Sequence, residues 1–137
     1  MTGHVRRLEE VGMHALIIED EILIALELEM LLGDLGFSSC EIADSPAQAV
    51  ASAIARQPDL VTADFRIVDG TGIEAVAAIE QAVGVRPVVY VTGNEDMVKG
   101  QGWPVVNKPI APSALAQACA RACGTGMVGG PAAFPHA

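Results

Sequence analysis

The feature of this 137-residue sequence that most constrains its fold is the alternation of short apolar runs with longer helical patterns. Strand-like runs occur at five places: 14–18, 38–42, 59–63, 87–91 and 104–106. Four full helical patterns lie between or after them: 21–37, 46–57, 71–84 and 111–123, of which the first is expected to stop near Gly33 to Gly36. The segment 94–102 has room for only a couple of turns. This alternation predicts an α/β fold, a doubly wound five-stranded parallel sheet whose strands are buried on both faces.

The length of the chain predicts one domain with a single core. Hydrophobic residues make up 51% of the sequence, which excludes general disorder. We expect an N-terminal extension at 1–12, the folded domain at 13–124 and a flexible Gly/Pro/Ala-rich tail at 125–137. The N-terminus has no apolar signal segment, and the longest apolar run, 22–26, is too short to span a membrane. The cytoplasm is therefore the predicted compartment, with no membrane contact.

The charge balance argues against nucleic acid as a partner. The formal net charge is −9, with 17 acidic residues against only 8 lysines and arginines. Binding to a phosphate backbone needs clustered basic side chains.

Unusual polar residues follow four of the five predicted strands. Glu19 and Asp20 follow the first strand, Asp64 the third, Thr92 the fourth, and Lys108 lies just beyond the fifth. In doubly wound sheets, ligands bind beyond the carboxyl ends of the strands. The sequence therefore predicts that these five residues meet at one edge of the sheet.

These residue types fit phosphoryl chemistry that depends on a hard cation. Converging carboxylates suit Mg²⁺, which binds carboxylate oxygens and bridges to phosphate. A carboxylate is also a nucleophile that can form an aspartyl phosphate. Lysine neutralises charge on a transferring phosphoryl group, and threonine donates a hydrogen bond to it.

Each feature alone has a plainer structural explanation. Acids at a helix start are stabilised by the helix dipole, and Asp64 can belong to an ordinary turn. Thr92 can simply end a strand, and Lys108 can lie in a surface turn. However, these separate explanations would each have to place the right residue type at the right strand end. The joint interpretation is favoured for that reason.

Four segments together resemble the receiver domain of two-component response regulators: "LIIEDE", "VTADFRIVDGTG", "VYVTGN" and "VVNKPI". The resemblance covers residues 13–124 and implies the (βα)5 flavodoxin-like receiver fold. It implies that Asp64 is the phosphoacceptor, and that Thr92 and Lys108 contact the phosphoryl group. It also implies an Mg²⁺ site made of the carboxylates of Glu19, Asp20 and Asp64 and the backbone carbonyl of Arg66.

The resemblance carries two further expectations near this site. The Lys108–Pro109 peptide bond is expected to be cis. Glu21 matches no ligand position of the family, and we predict that it caps the first helix.

The sequence departs from the common receiver pattern in two respects. Val105 occupies the position, three before the lysine, where receivers usually carry a switch aromatic. The interval from Thr92 to Lys108 is also short, which predicts a shortened fourth helix. With "YVTGN", these features resemble a subgroup of single-domain receivers that carries a Phe-Ala-Thr-Gly-Tyr motif. The match is partial, because Tyr90 replaces the motif's Phe and Asn94 its Tyr.

Two consequences follow from the departures. The loop 93–103 becomes the expected moving part, with Trp103 as either a partly buried anchor or a partner contact. Arg66 and Asn94 flank the predicted phosphoryl site, and we expect them to set the lifetime of the phosphate.

The first helix carries more apolar residues than one buried face needs. Ile24, Leu28, Leu31 and Leu35 form one stripe at helical spacing, and four others lie largely outside it: Ile22, Leu23, Leu26 and Met30. Either neighbouring helices cover this second set, or it is a docking face for a kinase helix or a second copy of the chain.

The favoured function is a stand-alone phosphorylation switch that catalyses only its own phosphorylation and dephosphorylation. The implied partners are a sensor histidine kinase or histidine phosphotransferase and an unknown downstream protein, with a homodimer as an option. Alternatives are a phosphorelay intermediate, a phosphate sink, or a binding module that acts without phosphorylation. A flavodoxin-like cofactor binder is disfavoured, because acids after the first strand repel phosphate. An aspartyl phosphatase is disfavoured, because Arg66 replaces the second aspartate expected there.

Overall fold

The computed structural model describes residues 12–124, and its centre is a five-stranded parallel sheet. The strands are β1 (Met13–Ile18), β2 (Phe37–Ala43), β3 (Leu60–Ala63), β4 (Val88–Thr92) and β5 (Val105–Asn107). Their order in the sheet is β2-β1-β3-β4-β5, and every pair is parallel. The predicted doubly wound fold is confirmed. The predicted extension 1–12 lies outside the described residues except for Gly12, and the predicted tail 125–137 lies wholly outside them.

Five helices alternate with the strands. They are α1 (Ile22–Asp34), α2 (Pro46–Ala55), α3 (Gly72–Val83), α4 (Glu95–Val98) and α5 (Pro112–Cys123). The four-residue α4 continues only into a 3-10 turn, Lys99–Gln101, so the shortened fourth helix is confirmed. A small antiparallel ribbon joins Arg66–Ile67 to Gly70–Thr71 before α3. None of these helices is long and apolar enough to cross a membrane.

The helices bury the two faces of the sheet in two separate cores. Along β1, Ala15 and Ile17 point into the core that includes residues of α1 and α5. Leu16 and Ile18 point the other way, into the core that includes residues of α2 and α3. Side chains alternate between faces along a strand, so near-continuous apolar strands supply both cores at once.

Element ends differ from the predicted ones by a few residues. The first helix was predicted to stop near Gly33 to Gly36, and α1 ends at Asp34, with Gly36 at φ 109°. This left-handed conformation suits glycine and ends the helix. The predicted helix end is therefore confirmed, and Phe37, the last residue of the helical pattern 21–37, is instead the buried first residue of β2.

The helix starts show which predicted caps form. At α3, Glu74 N donates to Thr71 Oγ1 (3.2 Å) and Thr71 N donates to Glu74 Oε1 (2.9 Å), which confirms the capping box. Glu21 occupies the cap position of α1, but its side chain makes no capping hydrogen bond. The prediction that Glu21 caps this helix was therefore wrong.

The outer face of α1 is uncovered within residues 12–124. Ala25, Leu28 and Leu32 are buried against the sheet. The four residues predicted to lie outside the buried stripe are exposed: Ile22 (60%), Leu23 (78%), Leu26 (47%) and Met30 (60%). Neighbouring helices do not cover them, so that alternative is wrong.

Candidate functional site

The sheet order places the polar strand ends side by side. β1 pairs with β3 through Ile18 and Ala63, so the residues after them, Glu19 and Asp64, emerge as neighbours. β3 lies beside β4, which ends at Thr92 and pairs with β5. The carboxyl ends of parallel strands lie at one edge of the sheet, so the polar residues that follow these strands lie close together there.

Three carboxylates converge at this edge. Glu19, Asp20 and Asp64 each offer an oxygen, and these oxygens lie within 4.8 Å of one another. Glu19 and Asp64 are buried, at 2% and 8% exposure, whereas Asp20 is exposed. Burial raises the pKa of Glu19 and the nearby Asp64 charge adds to this, while Lys108 opposes it.

Lys108 lies at the centre of the acidic cluster. Its Nζ is 2.8 Å from Asp64 Oδ2, 2.9 Å from Glu19 Oε1 and 3.1 Å from Glu21 Oε1. Burial alone would lower the pKa of Lys108, but the hydrogen bonds with these three carboxylates raise it overall. The ammonium therefore remains charged and offsets part of the carboxylate repulsion. The Lys108–Pro109 peptide bond is cis, as the resemblance implied.

The Asp64 carboxylate is held by its own backbone surroundings. Asp64 N donates to Ile18 O (3.0 Å), which ties the end of β3 to β1. The carboxylate Oδ1 accepts a 2.6 Å hydrogen bond from Phe65 N. Gly72 passes so close that a Cβ built on it would overlap the Asp64 carbonyl oxygen. Sequence reasoning missed this role of Gly72, although the two glycines of "DGTG" were the available signal.

Thr92 is fully buried at the end of β4, with its hydroxyl facing the start of α4. Thr92 Oγ1 accepts a hydrogen bond from Asn94 N (3.0 Å), which leaves the hydroxyl hydrogen available to donate. The carbonyl of Thr92 accepts from Lys108 N (3.2 Å), so these two residues are also linked through the backbone. Asn94 is half-buried, and its side chain does not cap α4.

Arg66 lies at the rim of the site rather than within the acidic cluster. Its side chain is exposed, and its guanidinium carbon lies 5.7 Å from the centroid of the Phe65 ring. Among residues 12–124, no ion pair joins this guanidinium to the carboxylates of the site.

The side of the sheet near β5 is packed without the usual aromatic. Val105 pairs in register with Tyr90, which is completely buried, and both belong to the same core as Trp103. Trp103 is half-buried and packs against that core, which favours its interpretation as an anchor.

The donor set fits Mg²⁺. All three clustered side chains offer carboxylate oxygens, the ligands that this hard cation prefers. Glu19 Oε1 is buried, and the described residues give it the Lys108 ammonium at 2.9 Å and no other hydrogen-bond partner. A buried oxygen with an unused lone pair is suited to a cation.

The sequence matches the response regulator receiver domain family over residues 15–120. This chain belongs to that family, the receiver domains of two-component signalling, which bind Mg²⁺ at an acidic pocket of this kind.

Individual relatives point to one group of regulators. The chain is 36% identical over 85 residues to the phyllosphere-induced regulator PhyR of Methylorubrum extorquens, covering 61% of this chain and 32% of that protein. The receiver domain of Erythrobacter litoralis PhyR superposes with a TM-score of 0.69 at 32% identity, over 81% of this chain and 89% of that one. The anti-anti-sigma factor PhyR of Bartonella quintana superposes with a TM-score of 0.67 at 27% identity, over 89% of this chain and 51% of that one. The chain thus spans about a third of the curated relative and half of the Bartonella protein.

Proposed function

We propose that residues 13–124 form a phosphorylation switch of the cytoplasm. A sensor histidine kinase or histidine phosphotransferase phosphorylates Asp64, and the phosphorylated chain signals by binding another protein. The observation that carries this proposal is the surroundings of Asp64: a buried carboxylate 2.8 Å from the Lys108 ammonium, with two further carboxylates beside it.

Glu19, Asp20 and Asp64 would hold Mg²⁺ together with the backbone carbonyl of Arg66. The cation would neutralise negative charge between the carboxylates and the incoming phosphoryl group. It would also relieve the repulsion within an acidic cluster that Lys108 offsets only in part.

The transfer step uses the Asp64 carboxylate as the nucleophile. One of its oxygens forms a bond to the phosphorus of a phosphohistidine, while the phosphorus–nitrogen bond breaks and its electron pair returns to the imidazole. Lys108 neutralises charge on the phosphoryl oxygens, and the Thr92 hydroxyl donates a hydrogen bond to one of them. In dephosphorylation, water attacks phosphorus while the bond between phosphorus and the Asp64 oxygen breaks and its electron pair returns to the carboxylate; the water gives up a proton, and inorganic phosphate leaves.

Arg66 and Asn94 are the residues we propose to set the rate of that hydrolysis. Arg66 extends from the rim of the site, and Asn94 lies at the start of α4 next to Thr92. We propose that both side chains screen the phosphoryl group from an attacking water. Arg66→Ala and Asn94→Ala should change the half-life of the phosphorylated chain while leaving phosphorylation itself intact.

Intact-mass analysis with acetyl phosphate tests the proposal. The wild-type chain should gain the mass of one phosphoryl group in the presence of Mg²⁺, and a chelator or Asp64→Asn should prevent the gain. A gain that persists in Asp64→Asn would refute the assignment of Asp64. If the wild-type chain gains no mass, the phosphorylation switch is refuted, and a binding module that acts without phosphorylation is the remaining candidate.

A phosphorelay intermediate or phosphate sink is the second candidate, and Val105 favours it. Without the usual switch aromatic, phosphorylation need not produce a conformational output. Hydrogen exchange with and without the phosphoryl mimic beryllofluoride separates the two functions. Changed protection at 93–103 supports a switch, whereas protection changes confined to the site residues support a relay or sink.

The downstream partner is a protein, and one class can be tested first. The Bartonella relative is an anti-anti-sigma factor, so an anti-sigma factor is the first candidate that we propose for binding assays. Binding that depends on phosphorylation of Asp64 would support this choice.

A further inference from the structure

Glu21 contacts the site although the family resemblance assigns it no role. It lies at the start of α1 in an extended conformation (φ −90°, ψ 108°), and its side chain does not cap the helix. Its Oε1 instead lies 3.1 Å from Lys108 Nζ, across 87 positions of sequence. The Glu21 side chain is 65% exposed, so this contact lies on the solvent side of the ammonium.

The Lys108 ammonium has three hydrogens and three carboxylate neighbours. Two of these carboxylates, Asp64 and Glu19, are buried within the site. When Asp64 receives a phosphoryl group, the ammonium has to turn toward phosphoryl oxygens. The exposed Glu21 carboxylate attracts the same ammonium toward solvent.

Building on the function proposed above, we propose that Glu21 is a positioning residue that competes with the phosphoryl oxygens for Lys108. The competition slows phosphorylation of Asp64, since Lys108 then spends less time neutralising charge on the transferring group. An exposed ion pair is weak, so the effect is modest. Glu21→Gln should raise the rate of phosphorylation by acetyl phosphate about two- to five-fold.

Matched variants separate this contact from general electrostatics. Glu21→Asp keeps the charge but shortens the reach, so it should also accelerate phosphorylation. Glu29→Gln removes an exposed charge from the same helix away from the site and should leave the rate unchanged. In a Lys108→Gln background, Glu21→Gln should have no further effect, because Glu21 acts through Lys108.

A second measurement detects the contact without any phosphorylation. The ¹⁵Nζ resonance of Lys108 should shift in Glu21→Gln, and its hydrogens should exchange faster with water, while Glu29→Gln should leave both unchanged. An unchanged resonance in Glu21→Gln would overturn the inference whether or not Asp64 is phosphorylated.

The remaining outcomes are equally decisive. If the resonance responds but the wild-type chain accepts no phosphoryl group, the proposed function fails and the inference fails with it. If Asp64 is phosphorylated and Glu21→Gln is equally fast or slower, Glu21 does not compete. If Glu21→Asp behaves as the wild type, or Glu21→Gln still accelerates the Lys108→Gln variant, the effect is one of charge rather than of contact with Lys108.

Discussion

Gly72 shows how a single residue without a side chain sets the position of Asp64. The backbone passes the Asp64 carbonyl so closely at this point that a methyl group has no space. The obstacle is backbone rather than a flexible side chain, so relief requires the end of β3 or the start of α3 to move. Gly33, within α1, is the opposite case, because a Cβ there would meet no atom within 4 Å.

Gly72→Ala should therefore destabilise the fold by about 1–3 kcal/mol, the usual cost of overpacking. It should also slow phosphorylation of Asp64. Gly33→Ala is the control and should not lower the free energy of unfolding, because Gly33 lies in the last turn of α1, where alanine fits without a clash. Urea unfolding measures both values. Equal stability of Gly72→Ala and the wild type would contradict the close approach.

The Tyr90 hydroxyl is buried without a hydrogen-bond partner among residues 12–124. Burial, with the charge of Glu80, raises the pKa of Tyr90 to about 12. A buried unpaired hydroxyl is destabilising relative to an apolar group of the same shape. Tyr90→Phe should therefore raise the free energy of unfolding by about 1 kcal/mol.

Thr62→Val is a parallel test with the same expected sign, since the Thr62 hydroxyl is also buried and unpaired within the described chain. Thermal and urea unfolding of both variants provide the measurement. Destabilisation by Tyr90→Phe would show that its hydroxyl has a partner, such as an ordered water.

At the scale of elements, α1 joins the edge that carries the acidic cluster to an exposed apolar face. The helix begins directly after the Glu19–Glu21 acids, and it presents Leu23 and Leu26 to solvent. A partner bound to this face would lie next to Asp64 and its neighbours. We propose this face, Ile22, Leu23, Leu26 and Met30, as the docking surface for the kinase helix.

Leu23→Gln combined with Leu26→Gln should slow phosphotransfer from a cognate kinase, because the apolar contact is lost. Phosphorylation by acetyl phosphate should stay unchanged, since the small donor needs no docking. Stability should change by less than about 0.5 kcal/mol, as expected for exposed positions. Ile54→Gln, at a residue 59% exposed on α2, is the control. Equal slowing of both phosphotransfer reactions would argue against a docking role.

The order of elements and the edge of the site were predictable from sequence because both depend on local patterns. Apolar runs fixed the strands, and parallel pairing places residues that follow different strands at one edge. The contact of Glu21 with Lys108 was not predictable from sequence. It depends on the side-chain conformations of two residues that lie far apart in the chain. The exposure of Leu23 also depends on which helices pack against α1. Periodicity alone does not specify that packing.

At the scale of the whole molecule, His14 links stability to pH. It lies on β1, is 4% exposed, and its Nδ1 is 2.7 Å from Ser39 Oγ. Burial lowers the pKa of His14 below 6.5, and Arg56 adds to the shift, while Glu41 and Asp59 oppose it.

The unfolded chain therefore binds this proton at a higher pH than the folded chain does. The contribution of His14 to stability is complete above pH 6.5 and decreases as the pH falls below that value. Urea unfolding should show a difference in the free energy of unfolding between the wild type and His14→Asn. This difference should be constant above neutrality and should decrease as the pH falls below it. A difference that stays constant down to about pH 5 would contradict the lowered pKa.

Borohydride trapping tests most directly whether Asp64 is the residue that accepts phosphate. Borohydride reduces an aspartyl phosphate to homoserine, which peptide mass spectrometry locates in the sequence. After treatment with acetyl phosphate and Mg²⁺, we expect homoserine at position 64 and unmodified Glu19 and Asp20. Reduction at Asp20, at Glu19 or at no acid of this edge would contradict it.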